Sequence, residues 1–215
     1  MARQLDYNEI IQIYSRFKEN IKCPSTELEY LNAYTLLVAV VLSAQATDVS
    51  VNLATRKLFK KVQRPDQMIK LGEKDLTEYI KSIGLFRTKA KNIIHLTEIL
   101  LKEHDGAIPS SRSALQSLPG VGRKTANVVL NIWFGLPTHP VDTHVFRVCN
   151  RTGIAIGKDI LAIERILEDQ IPADFQNYSH HWLILHGRYI CTAKNPKCFD
   201  CYINDLCAYK EKRIA

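Results

Sequence analysis

Four cysteines, Cys191, Cys198, Cys201 and Cys207, fall in one run near the C-terminus with the spacing C-x6-C-x2-C-x5-C. Seventeen residues closing on four thiolates make a short loop suited to wrapping one metal centre, with Cys198 and Cys201 as a C-x2-C clamp. Two disulfides are the alternative, and they belong to exported domains. The chain opens MARQLDYNEI, without an apolar signal-peptide core or a cleavage site, so export is not expected. In a reducing compartment such cysteines serve as thiolate ligands. Spacing does not choose between zinc and an iron–sulfur cluster, because both accept four thiolates.

With 215 residues the chain can bury a core as one large domain or two small ones. Its longest purely apolar run, Leu36 to Leu42, is too short to cross a bilayer, which predicts a soluble cytoplasmic protein with no membrane partner. Net charge is +7 and the pI is near 9.1. That balance permits nucleic-acid binding. Arg56, Lys57, Lys60, Lys61 and Arg64 share a stretch with no acid between Asp48 and Asp66. Arg87, Lys89 and Lys91 form a second group, and Arg188, Lys194, Lys197, Lys210, Lys212 and Arg213 surround the cysteines. One such group is an ordinary solvated face. Three beside a metal loop point to a polyanion.

Helical periodicity dominates. Ile10, Ile13, Tyr14, Phe17 and Ile21 recur at steps of three and four, which predicts an amphipathic first helix ended near Pro24. Tyr34 to Phe59 reads as helical, apolar at first and then amphipathic. Further helices are expected over 75–83, 89–104, 111–118, 122–134, 160–170 and 179–190, punctuated by Gly84, Gly106, Pro109, Gly135 and Pro137. No alternating strand pattern stands out. The expected fold class is all-α.

The second motif is Leu118-Pro119-Gly120-Val121-Gly122-Arg123-Lys124-Thr125-Ala126, set between two expected helices. Gly120 and Gly122 allow a backbone hairpin that side chains would block. The following helix then starts with its positive dipole end towards the hairpin, where a phosphate oxygen can be received without any base contact. A P-loop is excluded, since it needs Gly directly before Lys and this chain has Arg123 there. An ordinary helical corner is the plainer alternative.

LPGVGRKTANVVLN resembles the helix–hairpin–helix signature of the endonuclease III family of DNA glycosylases. VDTHVFRV, with Asp142 eighteen residues after Lys124, resembles that family's catalytic aspartate segment. LSAQATD at 42–48, IGLF at 83–86, HHWLILHGRYIC at 180–191 and the cysteine spacing fit the same family in order. The chain is identified as a member of that family, of the bacterial type.

The resemblance implies a bifunctional glycosylase and abasic-site lyase of base excision repair, acting as a monomer near the bacterial nucleoid. Its substrate would be double-stranded DNA holding oxidised pyrimidines or abasic sites. Lys124 is the implied nucleophile, and the first turn of a helix beside Arg123 should favour the neutral amine that attack needs. Asp142 has the look of a helix N-cap and is the implied carboxylate that stabilises charge on the sugar. Gln45 and Leu85 are the implied wedges that fill the stack once a nucleotide is flipped out. Gly120, Gly122, Arg123, Lys194 and Lys197 are the expected phosphate contacts. The resemblance also implies that the four cysteines hold a 4Fe–4S cluster that staples a basic loop. Two lobes are expected, a helical barrel over 26–136 and a cluster lobe from 1–25 with 137–215, with the chemistry at their junction.

His180, His181 and His186 lack the H-E-x-x-H spacing of a zinc hydrolase, and Cys149 is expected to be a buried small hydrophobe. An adenine-mismatch glycosylase usually lacks the lysine and carries a large extra C-terminal domain, so Lys124 and the end at Ala215 argue against it. A non-catalytic DNA-binding or redox module would not need Lys124 and Asp142 together. Gln116 departs from the acid that relatives often carry before the hairpin.

Overall fold

A computed structural model describes residues 2–213. Among them ten helices follow in order: α1 (Tyr7–Asn20), α2 (Ala33–Ser43), α3 (Asp48–Leu58), α4 (Pro65–Ile80), α5 (Phe86–Glu103), α6 (Arg112–Gln116), α7 (Arg123–Phe134), α8 (Thr143–Thr152), α9 (Ile160–Gln170) and α10 (Ala173–Tyr189). No strand occurs among the described residues, so the all-α reading holds. They divide into two compact units. One is Thr26–Gly135, and the other joins the residues through Ser25 to those from Leu136 onward.

The Thr26–Gly135 unit is arranged around α2. Its residues Leu36 to Leu42 are apolar on every face, and every one of them is buried. Such a helix must be covered on all sides, and α3, α5 and α7 pack against it. Asn32 opens it with a capping box: its Oδ1 accepts from the Thr35 N–H at 3.0 Å, and Thr35 Oγ1 accepts from the Asn32 N–H at 2.9 Å. Tyr34 and Thr97 join their hydroxyls at 2.7 Å, fixing α2 to α5.

The expected continuous helix over 34–59 is two helices instead. Gln45 has φ 54°, a left-handed turn, and Thr47 restarts the chain by accepting from the Ser50 N–H at 3.2 Å. Ala44 and Gln45 are good helix formers, so propensity hides the break. Thr47 is the cap signal that marks it. Another difference lies in α4, which begins ten residues before the expected start at Asp75, with Pro65 in its first turn and a kink at Gly72.

In the other unit α1 buries Ile10, Ile13, Tyr14 and Phe17, as its periodicity predicts. Tyr14 stacks on Phe175 at 5.6 Å between centroids and meets the Ser179 hydroxyl at 2.7 Å. Trp182 of α10 donates its indole N–H to the Ile21 carbonyl at 2.8 Å, which closes the end of α1. Cys149 is fully buried in this core. Gly153 ends α8 at φ 87°, where a Cβ would stand 2.2 Å from the Arg3 carbonyl oxygen. Only glycine fits both the conformation and the contact.

His139 is 1 % exposed in the segment between α7 and α8, and neither ring nitrogen has a hydrogen-bond partner. Burial pushes its pKa down to about 4, opposed weakly by Glu164. His181 is held at about 4 by burial alone. The unfolded chain therefore binds more protons than the folded one between pH ~6.5 and ~4. Stability is complete above that window and is lost as the pH falls through it, by on the order of 3 kcal/mol for each imidazole. The loss of melting temperature between about pH 7 and about pH 4.5 should be smaller in His139→Leu than in the wild type. Parallel pH profiles for the two proteins would show that His139 does not supply this acid sensitivity.

Candidate active site and metal centre

The hairpin between α6 and α7 is anchored by two buried side chains, Leu118 and Val121. The Val121 N–H donates to the Leu118 carbonyl at 3.1 Å to close the turn. Gly120 has φ 78°, and a Cβ there would lie 3.0 Å from Asn92 Nδ2 and 3.1 Å from Asn92 Cβ. Conformation and crowding both demand glycine. Gly122 differs. Its φ of −84° suits any residue, and a Cβ there would meet nothing within 4 Å. No packing inside the chain requires its bareness. Gly122 caps α7 through its carbonyl, which accepts from the Ala126 N–H at 2.9 Å, with no side-chain cap. Lys124 is exposed in the first turn of α7, next to Arg123. Arg112 Nε donates to Asn127 Oδ1 at 2.7 Å and braces α6 on α7.

Asp142 is the N-cap of α8. Its Oδ1 accepts from the His144 N–H at 2.8 Å and the Val145 N–H at 2.9 Å. A carboxylate so held stands in one orientation at the positive end of a helix. One turn on, Arg147 donates to the carbonyls of Gly187 at 2.8 Å and Cys191 at 3.0 Å, so α8 is bolted to the end of α10.

Gln45 and Leu85 share an uncommon geometry. Among the described residues only three non-glycines have positive φ, and two are Gln45 at 54° and Leu85 at 59°. For an ordinary L-residue that conformation costs on the order of 1–2 kcal/mol. Both side chains are exposed, Leu85 by 61 %. The two turns also touch, since a Cβ at Gly84 would lie 3.8 Å from the Gln45 carbonyl oxygen.

Cys191, Cys198, Cys201 and Cys207 line one small cavity, together with His186 and Arg151. His186 Nε2 lies 3.7 Å from Cys201 Sγ, and Arg151 Nη1 lies 3.7 Å from Cys191 Sγ. Arg151 also donates to the Thr192 and Ala193 carbonyls at 2.7 and 2.8 Å, which fixes the start of the loop. Burial raises the Cys201 thiol to about 11 and raises Cys207 as well, so bare thiolates are disfavoured without a compensating positive centre. Among the described residues no three His, Cys, Asp or Glu side chains converge as ligands of a single ion. Arg147 and Arg151, four apart on α8, escaped sequence reading. Their spacing puts them on one face, but nothing in the sequence shows which carbonyls they meet.

The basic groups divide on inspection. Lys194 and Lys197 are exposed on the cysteine loop. Arg56 and Arg64 are paired, Arg56 Nε with Glu29 at 2.7 Å and Arg64 Nε with Asp66 at 2.9 Å. Lys89 leaves the surface group of Arg87 and Lys91 altogether, being 5 % exposed. An i, i+4 pattern distinguishes core from surface by hydrophobicity, and a lysine at a core position defeats it.

Residues 38–173 match the family described as HhH-GPD superfamily base excision DNA repair protein. The chain is 55 % identical over 202 residues to endonuclease III of Escherichia coli (strain K12), covering 94 % of this chain and 96 % of that one. It is 47 % identical over 205 residues to endonuclease III of Treponema pallidum (strain Nichols), covering 95 % and 97 %. The solved structure described as a trapped endonuclease III–DNA covalent intermediate, an estranged-adenine complex, superposes with a TM-score of 0.88 at 41 % identity, covering 95 % of this chain and 96 % of that one. A glycine-capped helix with a lysine in its first turn, an aspartate N-cap and four thiols on one cavity accompany these matches over nearly the whole length. The chain belongs to the endonuclease III family of the HhH-GPD superfamily of base excision DNA repair proteins.

Proposed function

We propose that this chain is a bifunctional DNA glycosylase and abasic-site lyase that removes oxidised pyrimidines through a lysine Schiff base. One observation carries the reading furthest: an exposed lysine, Lys124, stands in the first turn of a helix whose glycine cap keeps open space in front of it. The relative that superposes so closely is described as a trapped covalent intermediate with DNA, which is the state such a lysine would form.

The steps follow from the groups present. The Lys124 amine attacks the sugar C1′, and the glycosidic bond breaks as the damaged base leaves with its electron pair and a proton. The C1′–O4′ bond then breaks, O4′ takes up the proton that the amine gives up, and the opened sugar is held at C1′ as an iminium on the amine nitrogen. Loss of the C2′ proton breaks the bond from C3′ to its phosphate oxygen, and the phosphate departs with that electron pair. Water finally releases the sugar and restores the amine. Asp142, clamped by two backbone N–H groups, supplies the fixed negative charge that stabilises the positive sugar. Gly120, Gly122 and Arg123 admit a phosphate at the α7 terminus. Gln45 and Leu85 fill the stack after extrusion, a use that fits exposed side chains on strained turns. Lys194 and Lys197 meet phosphates from the cysteine loop.

Cys191, Cys198, Cys201 and Cys207 would hold a 4Fe–4S cluster. A zinc ion draws four sulfurs to about 2.3 Å from one point, whereas a cubane spreads its thiolates around a larger body. The four thiols line one cavity, and their C-x6-C-x2-C-x5-C spacing, which the family resemblance ties to such a cluster, favours the second. Base excision and elimination transfer no electrons. The cluster's contribution is therefore to order the loop that presents Lys194 and Lys197.

Lys124→Gln keeps length and polarity but removes the amine. Strand cleavage and borohydride trapping on an abasic duplex should fall by at least about a thousandfold while lesion binding survives. A trapped adduct from that variant would assign the chemistry to another amine. Asp142→Asn keeps the shape of the cap and should slow single-turnover excision by roughly 10²-fold to 10³-fold, and an unchanged rate would reduce Asp142 to a cap.

Anaerobically purified protein should be brown and carry about four irons and four acid-labile sulfides per chain. Stoichiometric zinc without sulfide would refute the cluster. Cys198→Ser should lower iron content and weaken DNA binding together.

Affinity for undamaged duplex should fall steeply with salt. Lys194→Ala and Lys197→Ala should each flatten the log–log slope by about 0.9 and weaken damaged and undamaged DNA alike. A change in lesion preference with an unaltered slope would place these lysines at the base and not the backbone.

A further inference from the structure

Lys89 is a buried cation that the steps above leave without a task. Its ammonium donates to the Leu42 carbonyl at 2.9 Å from within the core of the Thr26–Gly135 unit. Leu42 is the penultimate residue of α2, so its carbonyl is one of those at a helix C-terminus that find no donor in their own helix. A cation is well matched to that negative end. The backbone N–H of Lys89, meanwhile, donates to the Leu85 carbonyl at 3.0 Å and makes the opening bond of α5. Leu85 caps α5 in the left-handed conformation with no side-chain bond, and so depends on this turn.

One residue thus grips both strained turns. Its side chain holds the carbonyl three residues before Gln45, and its backbone holds the carbonyl of Leu85. The turns themselves meet where Gly84 faces the Gln45 carbonyl oxygen. Among the described residues no carboxylate pairs with Lys89. Burial lowers its proton affinity. Desolvating the ammonium is a cost, offset in part by satisfying the Leu42 carbonyl. A charge kept at such a cost, between two turns whose tips are exposed, has a positional use.

We propose that Lys89 is a positioning residue for nucleotide extrusion, setting the separation and aim of Gln45 and Leu85 by binding the end of α2 with its side chain and the start of α5 with its backbone. The proposal rests on the reading of Gln45 and Leu85 as wedges. With the ammonium gone, the Leu42 carbonyl is orphaned, the last turn of α2 loosens, and the two tips lose their fixed spacing. Displacements near 1 Å in a positioning group cost up to roughly a hundredfold in rate.

The test is Lys89→Met, which keeps the apolar stem and removes the donor. Single-turnover excision of an oxidised pyrimidine from a duplex is compared with borohydride trapping on a single-stranded abasic oligonucleotide, which needs no extrusion. Duplex excision should slow by roughly tenfold or more, single-stranded trapping should stay within about twofold, and amide exchange should quicken at 43–47 and 84–86. Leu85→Ala should remove most of the effect of Lys89→Met when the two are combined. Equal losses on both substrates, or no loss on the duplex, would overturn the proposal. Gln45→Ala and Leu85→Ala run beside it separate the two ideas: if these leave duplex excision at the wild-type rate the wedge reading fails, and if they slow it while Lys89→Met does not, Lys89 alone is misassigned. Should Lys89→Met melt below the assay temperature, Lys89→Gln serves with the same readouts.

Discussion

A helix that is apolar on every face can exist in water only if it is covered on every face, and α2 sets that requirement for the Thr26–Gly135 unit. Leu36 to Leu42 expose almost nothing, and α3, α5 and α7 lie against them because no polar face offers an alternative. Truncating one of these leucines to alanine would cost about 2–5 kcal/mol, a large fraction of the stability of such a unit. The same burial creates a difficulty at the helix end. Its last carbonyls finish inside apolar surroundings, where water cannot reach them. Lys89 answers one of them, and the chain must then turn sharply to leave the core, which produces the left-handed Gln45 and the restart at Thr47. The turn proposed to carry a wedge thus grows out of a packing constraint.

The other unit solves a different problem. The seventeen-residue loop with four thiols puts Ile203 into the core, with Tyr202 and Leu206 packed against it, and the rest of its backbone is held by neighbouring polar side chains. Arg147 and Arg151 of α8 bind carbonyls of Cys191, Thr192 and Ala193. Arg16 of α1 reaches the Tyr202 carbonyl at 3.0 Å and pairs with Asp205. Tyr202 and Phe17 meet edge to face at 5.9 Å. Cationic side chains bonded to carbonyls order the backbone without needing a larger core, and they leave Lys194 and Lys197 exposed at its edge.

Strain is concentrated where function is proposed. Gln45 and Leu85 occupy a conformation that L-residues avoid, and the surrounding helices impose it. Gly120 accepts a similar conformation at no steric cost and lies against Asn92, which fixes the hairpin. Gly122 has no such neighbour, and the open space in front of it is what the proposed phosphate contact would use. Two glycines in one motif thus have distinct causes, and the sequence writes them with the same letter.

The sequence by itself determined what depends on pattern: an all-helical chain, an amphipathic α1, an apolar helical run over Leu36 to Leu42, a glycine hairpin ahead of Lys124, Asp142 as a helix cap, and four cysteines on one loop. Periodicity, caps and turn residues are local, so each can be read within about a dozen residues. Tertiary structure alone decided the rest. It split the stretch from Tyr34 to Phe59 at Gln45, because the exit from a buried helix and not helix propensity controls that turn. It turned Arg56 and Arg64 into ion-paired residues, and it drew Lys89 out of a basic surface group into the core. Whether a lysine is a solvated charge or a buried strut depends on which carbonyl lies within 3 Å of its nitrogen, 47 residues away along the chain, and no local pattern carries that information.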